Sequence, residues 1–449
     1  MRVLFASFAQ RTPFFNSVPL AWALRTAGHE VRVASAPELV DAVTGAGLTA
    51  VPVGSDETVV QKTLRAMENG ELITPEQWRA EGSRMPDLGE NREEELTWEF
   101  LTWLYRRMRV PKEKILNDSL FDDLVEFCRW WQPDLVVSDP ITYAGRLAAA
   151  VTGAAHARIL FSQDVYGRMR EHYLRAKERQ PAEAREDALA EWLGEWAERY
   201  GASFSEEMTN GHFTIDQLPD SLRLDTDITY VPMRYVPYNG TAVVPKWLCE
   251  DPKAPRVLMT FGVSMNDWAV LEVITVDQMQ EILDSLADLD IELVITLPAK
   301  FSEQLPRVPD NTRIVEFVPV HAILPSCSAV IGHGGAGSFN GSVLYGIPQL
   351  LIGMMAPDVT TKSEYFARSG TGLSIESAGD VTGPRIRAYL KRLLEEDSFR
   401  ENAQRVRREA LAQPTPNDVV PELERLAAQY RTRGRGAATA GPGGAAGNS

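Results

Sequence analysis

The stretch Cys327–Ile352, CSAVIGHGGAGSFNGSVLYGIPQLLI, sets an apolar run against a cluster of glycines and then a helical pattern. Gly332, Gly334, Gly335 and Gly337 stand in it, with His333 among them and Ser338 just after. Glycine weakens the interior of a strand or a helix, so the crowding reflects a demand of the junction itself. Where a buried parallel strand turns straight into a helix, the first helical N–H groups have no intrahelical partner. They point at the crevice beyond the strand's carboxyl end and, with the positive end of the helix dipole, form an anion site. Glycines let the chain turn tightly and let a phosphate approach without meeting a Cβ. The stretch therefore reads as a diphosphate cradle made by His333, Gly334, Gly335, Ala336, Gly337 and Ser338. Gly332, Gly334 and Gly337 also spell G-x-G-x-x-G, with Asp358 about twenty residues on, as a dinucleotide site requires. That fingerprint belongs after the first strand of its domain, and several strands precede it here. A nicotinamide-dependent oxidoreductase is the lesser alternative.

Working outward, the same alternation of buried strand and helix recurs on both sides. RVLFAS, EVRVAS, LTAVPVG and PDLVVSD (133–139) read as strands of one unit. Its first helix carries Leu20, Ala23, Leu24 and Ala27 on one face, with Asn16 or Ser17 as cap, Pro19 in the first turn and Gly28 as stop. RVLMTFG, IELVITL, TRIVEFV, SAVIG and QLLIG read as strands of a second unit. Such alternation implies parallel sheets covered by helices on both faces. The predicted organisation is α/β, with two doubly wound Rossmann-like domains and a cleft between them. Residues 1–232 form the first domain, 233–255 a Pro- and Gly-bearing linker, 256–430 the second domain and 431–449 a disordered tail. Helical insertions at about 58–131 and 163–210 bring in Trp78, Trp98, Trp103, Trp130 and Trp131. They read as core, or as the wall of an apolar pocket for a large organic ligand.

Composition narrows the function. The 449 residues are 44% hydrophobic and 24% charged, ordinary for a globular chain, and the formal charge of −16 argues against nucleic acid and anionic membranes. Three scattered cysteines read as thiols of a reducing cytosol, and no apolar run approaches a membrane span. A cytoplasmic protein is expected.

Around the HGGAGS run (333–338), the chain resembles nucleotide-sugar glycosyltransferases of the two-Rossmann-domain GT-B architecture. It is most similar to the actinomycete enzymes that attach TDP-deoxysugars to polyketides, such as desosaminyl- and mycarosyltransferases. VPLAWALRTAGHEVRVAS (18–35), TGAAHARIL (152–160) and MRYVPYNG (233–240) carry the likeness nearly end to end. The resemblance implies that His333 through Ser338 hold the donor's phosphates, joined by Gly262 and Ser264 from FGVS. It implies that Phe317 stacks on thymine, that Val318 reaches the base through its backbone, and that Asp358 meets the donor sugar. Three departures from UDP-sugar relatives point one way: Gly341 replaces a ribose-binding Glu, Val320 a base-binding Gln, and Asp358-Val359 an Asp-Gln pair. Lost hydrogen-bond partners suit a deoxyribose and a deoxygenated sugar, because a site built for a hydroxyl discriminates against its absence.

The expected reaction is an inverting, metal-independent transfer of a deoxysugar from a TDP-deoxyhexose to a hydrophobic polyketide acceptor, with no cofactor. Asp225/Asp227 and Asp288/Asp290 form DxD pairs, but they read as solvated loop carboxylates. Many relatives place a basic His after the first strand; here Pro13 occupies that place, with Gln10 and Arg11 near enough to orient an acceptor. Asp139, at the end of its strand, is the candidate base, or else it caps the helix after Pro140. The close relatives also imply a partner resembling a haem-free monooxygenase. Pro13 and Val359 motivate a contrasting reading, a degenerate member that binds the donor or a partner without transfer.

Overall fold

The computed structural model describes residues 1–74, 88–262, 274–352, 357–376 and 378–432. Two wholly parallel sheets organise them. The first contains β1 (Arg2–Ala6), β2 (Glu30–Ser35), β3 (Ala50–Pro52), β4 (Leu135–Ser138), β5 (Ala155–Ile159), β6 (Phe213–Asp216) and β7 (Tyr230–Pro232), in the order β3-β2-β1-β4-β5-β6-β7. The second contains β8 (Arg256–Thr260), β9 (Glu292–Thr296), β10 (Thr312–Val315), β11 (Cys327–Gly332), β12 (Gln349–Ile352) and β13 (Gly372–Ile375), in the order β10-β9-β8-β11-β12-β13. Each order reverses direction once, between β1 and β4 and between β8 and β11. Crevices that bind ligands open at such reversals, beyond the carboxyl ends of the strands.

Of the central strands, β4 and β8 are buried throughout, and β1 and β11 are buried beyond their first residues. This explains why they read as unbroken apolar runs rather than alternating ones. β7 reaches the start of the expected linker, where Val231 pairs with Ile215 and Pro232 with Asp216. An edge strand tolerates that proline because its N–H side is unpaired.

Two elements differ from the sequence reading. The first helix spans Arg11–Thr26, so it begins before the expected caps. Asn16 and Ser17 lie inside it, donating back to the carbonyls of Thr12 and Phe14 at 2.7 Å each. Pro13 fits the first turn because the amide it lacks would have had no helical partner, while Pro19 sits in the interior. Gln10, Arg11 and Pro13 thus form a helix start rather than a loop.

The last helix, Val420–Tyr430, leaves the second sheet and returns to the first. Val420, Leu423, Leu426 and Ala427 join the first domain's core, His29 pairs with Glu424 at 3.0 Å, and Tyr430 stacks on His212. The expected unit 256–430 therefore gives its final helix to its neighbour. Of the tryptophans, Trp131 is core, Trp98 and Trp103 pack against it half-buried, and Trp130 stands exposed with Arg32 over its ring. Trp78 and the tail beyond Thr432 lie outside the described residues. No helix among the described residues is long and apolar enough to cross a membrane.

Candidate active site

The glycine turn follows β11 and Gly262 follows β8, so the two flank the reversal point of the second sheet. The helix Ala336–Tyr345 starts at Gly335 with no side-chain cap and no acidic residue in its first turn. Its leading amides and the positive end of its dipole are left for an anion.

The glycines have separate reasons. Gly334 is left-handed at φ +79°, and a Cβ there would lie 2.6 Å from Leu351 Cδ1. A Cβ on Gly335 would lie 2.5 Å from His333 Nε2, and one on Gly262 3.0 Å from His333 Cε1. One on Gly332 would meet the Thr260 carbonyl at 2.9 Å. Only at Gly337, within this cluster, does the missing Cβ face no atom of the described residues within 4 Å. Most of the cluster thus makes room for the protein's own imidazole and backbone, and Gly337 does not.

Burial, and then the nearby Lys362 ammonium, hold the His333 pKa down at about 4. His333 is therefore neutral at physiological pH and offers a hydrogen bond rather than a charge. The Ser338 hydroxyl donates to Gly335 O at 3.0 Å, a local bond that competes with the expected phosphate contact. Val318 is buried beside Leu258 and Ile323, whereas Phe317 is 42% exposed. A Cβ on Gly341 would touch Leu324 Cδ1 at 2.8 Å and Val320 Cγ1 at 3.5 Å. The two departures at 320 and 341 therefore face each other across one apolar spot. Ser264 lies outside the described residues.

Asp358 is buried. Its Oδ2 accepts from Lys362 Nζ at 2.7 Å and, across the domain gap, from Ser162 Oγ at 2.5 Å. Asn340 Nδ2 donates to Phe161 O at 3.0 Å, and Asn91 donates to Glu364 at 2.8 Å. Phe161 and Ser162 follow β5, Asn340 lies on the helix after β11, and Asp358 follows β12. The carboxyl ends of the two sheets consequently face each other.

On the opposite wall, Gln10 through Pro13 follow β1 and Asp139 follows β4, at the reversal point of the first sheet. Asp139 Oδ1 accepts the amides of Ile141 and Thr142 at 3.0 Å each, and Oδ2 accepts the Thr142 hydroxyl at 2.7 Å. That hydroxyl in turn accepts the Phe8 amide at 2.8 Å, locking the β1 and β4 loops together. These contacts are the capping alternative. Burial raises the Asp139 pKa against the pull of the same bonds.

Arg146, absent from the sequence reading, lies fully buried beneath this turn. It donates to Ser138 Oγ, Asp139 O and Pro140 O at 2.8, 2.8 and 3.0 Å, and burial lowers its pKa to about 10. The available signals for Arg146 and Asn340 were a lone cation and a lone amide within the apolar helices YAGRLAAAVTG and SFNGSVLY.

Among the described residues, the donor groups that could hold a metal are His156, His212 and Glu207, at the amino end of β5 and away from both crevices. His212 Nδ1 accepts the His156 amide at 3.1 Å, which leaves its proton on Nε2, facing Glu207 at 3.4 Å. The imidazole is thereby committed to hydrogen bonding. Asp288 is taken by Arg387.

Comparisons with known proteins agree over nearly the whole chain. The family profile described as "Erythromycin biosynthesis protein CIII-like, N-terminal domain" matches residues 22–262, and the corresponding C-terminal domain profile matches 280–426. The chain is 47% identical to the 10-deoxymethynolide desosaminyltransferase of Streptomyces venezuelae, over 96% of this chain and 98% of that one. It is 44% identical to the aclacinomycin-T 2-deoxy-L-fucose transferase of Streptomyces galilaeus, over 97% and 98%. Among solved structures it is similar to the glycosyltransferase VinC in complex with dTDP, with a TM-score of 0.82 and 38% identity, covering 96% of this chain and all of that one.

Proposed function

Given that this chain belongs to the erythromycin biosynthesis protein CIII-like family and is a GT-B glycosyltransferase of antibiotic biosynthesis, we propose that it moves a deoxysugar from a TDP-deoxyhexose to a hydrophobic polyketide-type acceptor, with inversion and without a metal. The observation that carries this reading is the apposition of two sheet reversal points, with an uncapped helix start on one wall and a buried carboxylate on the other.

The leaving diphosphate rests against the amides of Ala336, Gly337 and Ser338, with neutral His333 donating beside them. As the bond between the anomeric carbon and the phosphate oxygen breaks, its electron pair passes to the diphosphate. Fixed dipoles in a dry crevice stabilise that growing charge without reorganising. The acceptor enters from the first domain, opposite the leaving group, and its oxygen forms the new bond on the far face of the sugar. Its proton goes to Asp139. Oδ1 is held by two amides, while the Thr142 hydroxyl sits on Oδ2 and the Ser7 hydroxyl also reaches the carboxylate. With about four lone-pair sites on its two oxygens, the group keeps one for the proton. Its raised pKa brings it nearer the operating pH, as general base catalysis requires.

The apolar contact of Val320 with Gly341 suits a deoxyribose, which lacks the 2′-hydroxyl that a polar pair would bind. Calorimetry with TDP and UDP tests the donor reading, and mass spectrometry of products from a panel of polyketide aglycones tests transfer. TDP is expected to bind more tightly; tighter UDP binding, or donor binding with no product from any aglycone, overturns the proposal. The resemblance to activator-dependent transferases extends it to a haem-free monooxygenase-like partner, whose addition is expected to raise turnover in the same assay.

A further inference from the structure

The buried ammonium of Lys362 joins two parts of the donor site that arrive separately along the chain. The Gly334 carbonyl comes from the turn after β11, and the Asp358 carboxylate from the segment after β12. Lys362 Nζ lies 2.6 Å from Gly334 O, 2.7 Å from Asp358 Oδ2 and 4.7 Å from the centroid of the Phe339 ring. With its side chain 1% exposed, each of its three hydrogens has an acceptor to face. Burying an ammonium and a carboxylate together is rarely the most stabilising way to fill a core, since an apolar pair of similar volume avoids their desolvation. The charge is better explained by what it fixes.

A peptide unit is planar and trans. Holding the Gly334 carbonyl on the ammonium therefore sets the direction of the Gly335 N–H on the opposite edge of the same plane, at the entrance to the helix. Gly334 is left-handed and its missing side chain allows other orientations, so the bond removes a freedom that the sequence leaves open. The same ammonium keeps the Asp358 carboxylate in place, whichever hydroxyl faces it from across the cleft.

We propose that Lys362 is a positioning residue that aligns the phosphate turn and the sugar-side carboxylate through one shared ammonium. The inference rests on the donor-site reading above. Lys362 also lowers the pKa of His333, which keeps the imidazole neutral beside the turn.

The test compares the wild-type chain with Lys362→Met and with Lys362→Met/Asp358→Asn. The double variant avoids leaving a lone buried carboxylate and is the one to read if the single variant does not fold. TDP is the probe, followed by calorimetry and by the phosphorus resonance of its terminal phosphate. With cooperative melting retained, TDP affinity is expected to fall about tenfold or more, the scale of one charge-assisted bond. The phosphorus signal is expected to move toward that of free TDP. A lowered melting temperature with unchanged TDP affinity and an unchanged phosphorus signal would reduce Lys362 to a packing residue and overturn the proposal. Failure of the unsubstituted protein to bind TDP would instead sink the donor-site reading, so the two failures are told apart by the wild-type measurement.

Discussion

At the scale of single residues, Gly335 and Gly337 stand two positions apart and are glycine for different reasons. Gly335→Ala places a methyl group 2.5 Å from the His333 ring, so the imidazole must move. Both the melting temperature and TDP affinity are expected to fall, the first by an overpacking cost of about 1–3 kcal/mol. Gly337→Ala meets no atom of the described residues within 4 Å and gains helix propensity. Its stability is expected to hold or rise while TDP affinity falls about tenfold, as the methyl occupies the guest's space. Thermal melts and calorimetry on the pair separate packing from binding. Asp139 offers a second contrast. Asp139→Asn keeps an oxygen for the Ile141 and Thr142 amides but has no proton-accepting carboxylate. Turnover is expected to drop by about a hundredfold or more, with TDP affinity nearly intact. Unchanged turnover would leave Asp139 as a cap alone.

At the scale of elements, the strands were legible because β1, β4, β8 and β11 are buried on both faces and so read as continuous apolar runs. The turn after β11 was legible because its glycines interrupt such a run abruptly. The start of the first helix was not. Asn16 and Ser17 resemble caps in sequence, yet their side chains bond back within a helix already formed, and Pro13 opens that helix more effectively. The closing helix hid its destination for another reason. An amphipathic pattern shows that Val420, Leu423 and Leu426 need a partner surface, but not which of two sheets supplies it. Leu423 is fully buried in the first core. Leu423→Ala is expected to cost about 2–5 kcal/mol, with hydrogen exchange accelerating in β1, β4 and β5 rather than in the second sheet. Exchange confined to the second sheet would refute that attachment.

At the scale of the whole molecule, two sheets whose strand orders match except for the additional edge strand β7 face each other through their carboxyl ends, and a few polar contacts hold the cleft between them. Ser162 to Asp358 is the shortest of these that carries a charged group. Ser162→Ala is expected to remove about 1–3 kcal/mol from the empty protein and lower its melting temperature by a few degrees. Donor affinity should not weaken, because Lys362 still holds Asp358. A loss of TDP affinity would assign Ser162 to the donor site itself. The sequence alone determined the layered α/β architecture, the glycine turn after β11 and the kinship, because each depends on the local order of glycines, apolar runs and turn residues. Only the tertiary structure decided why most of the glycines are needed, where the last helix docks, and that Lys362, Arg146, Asn340 and Ser162 support the cleft. Those roles arise from contacts between segments distant along the chain, and burial of polar groups leaves a periodic signature only when neighbours in sequence share it.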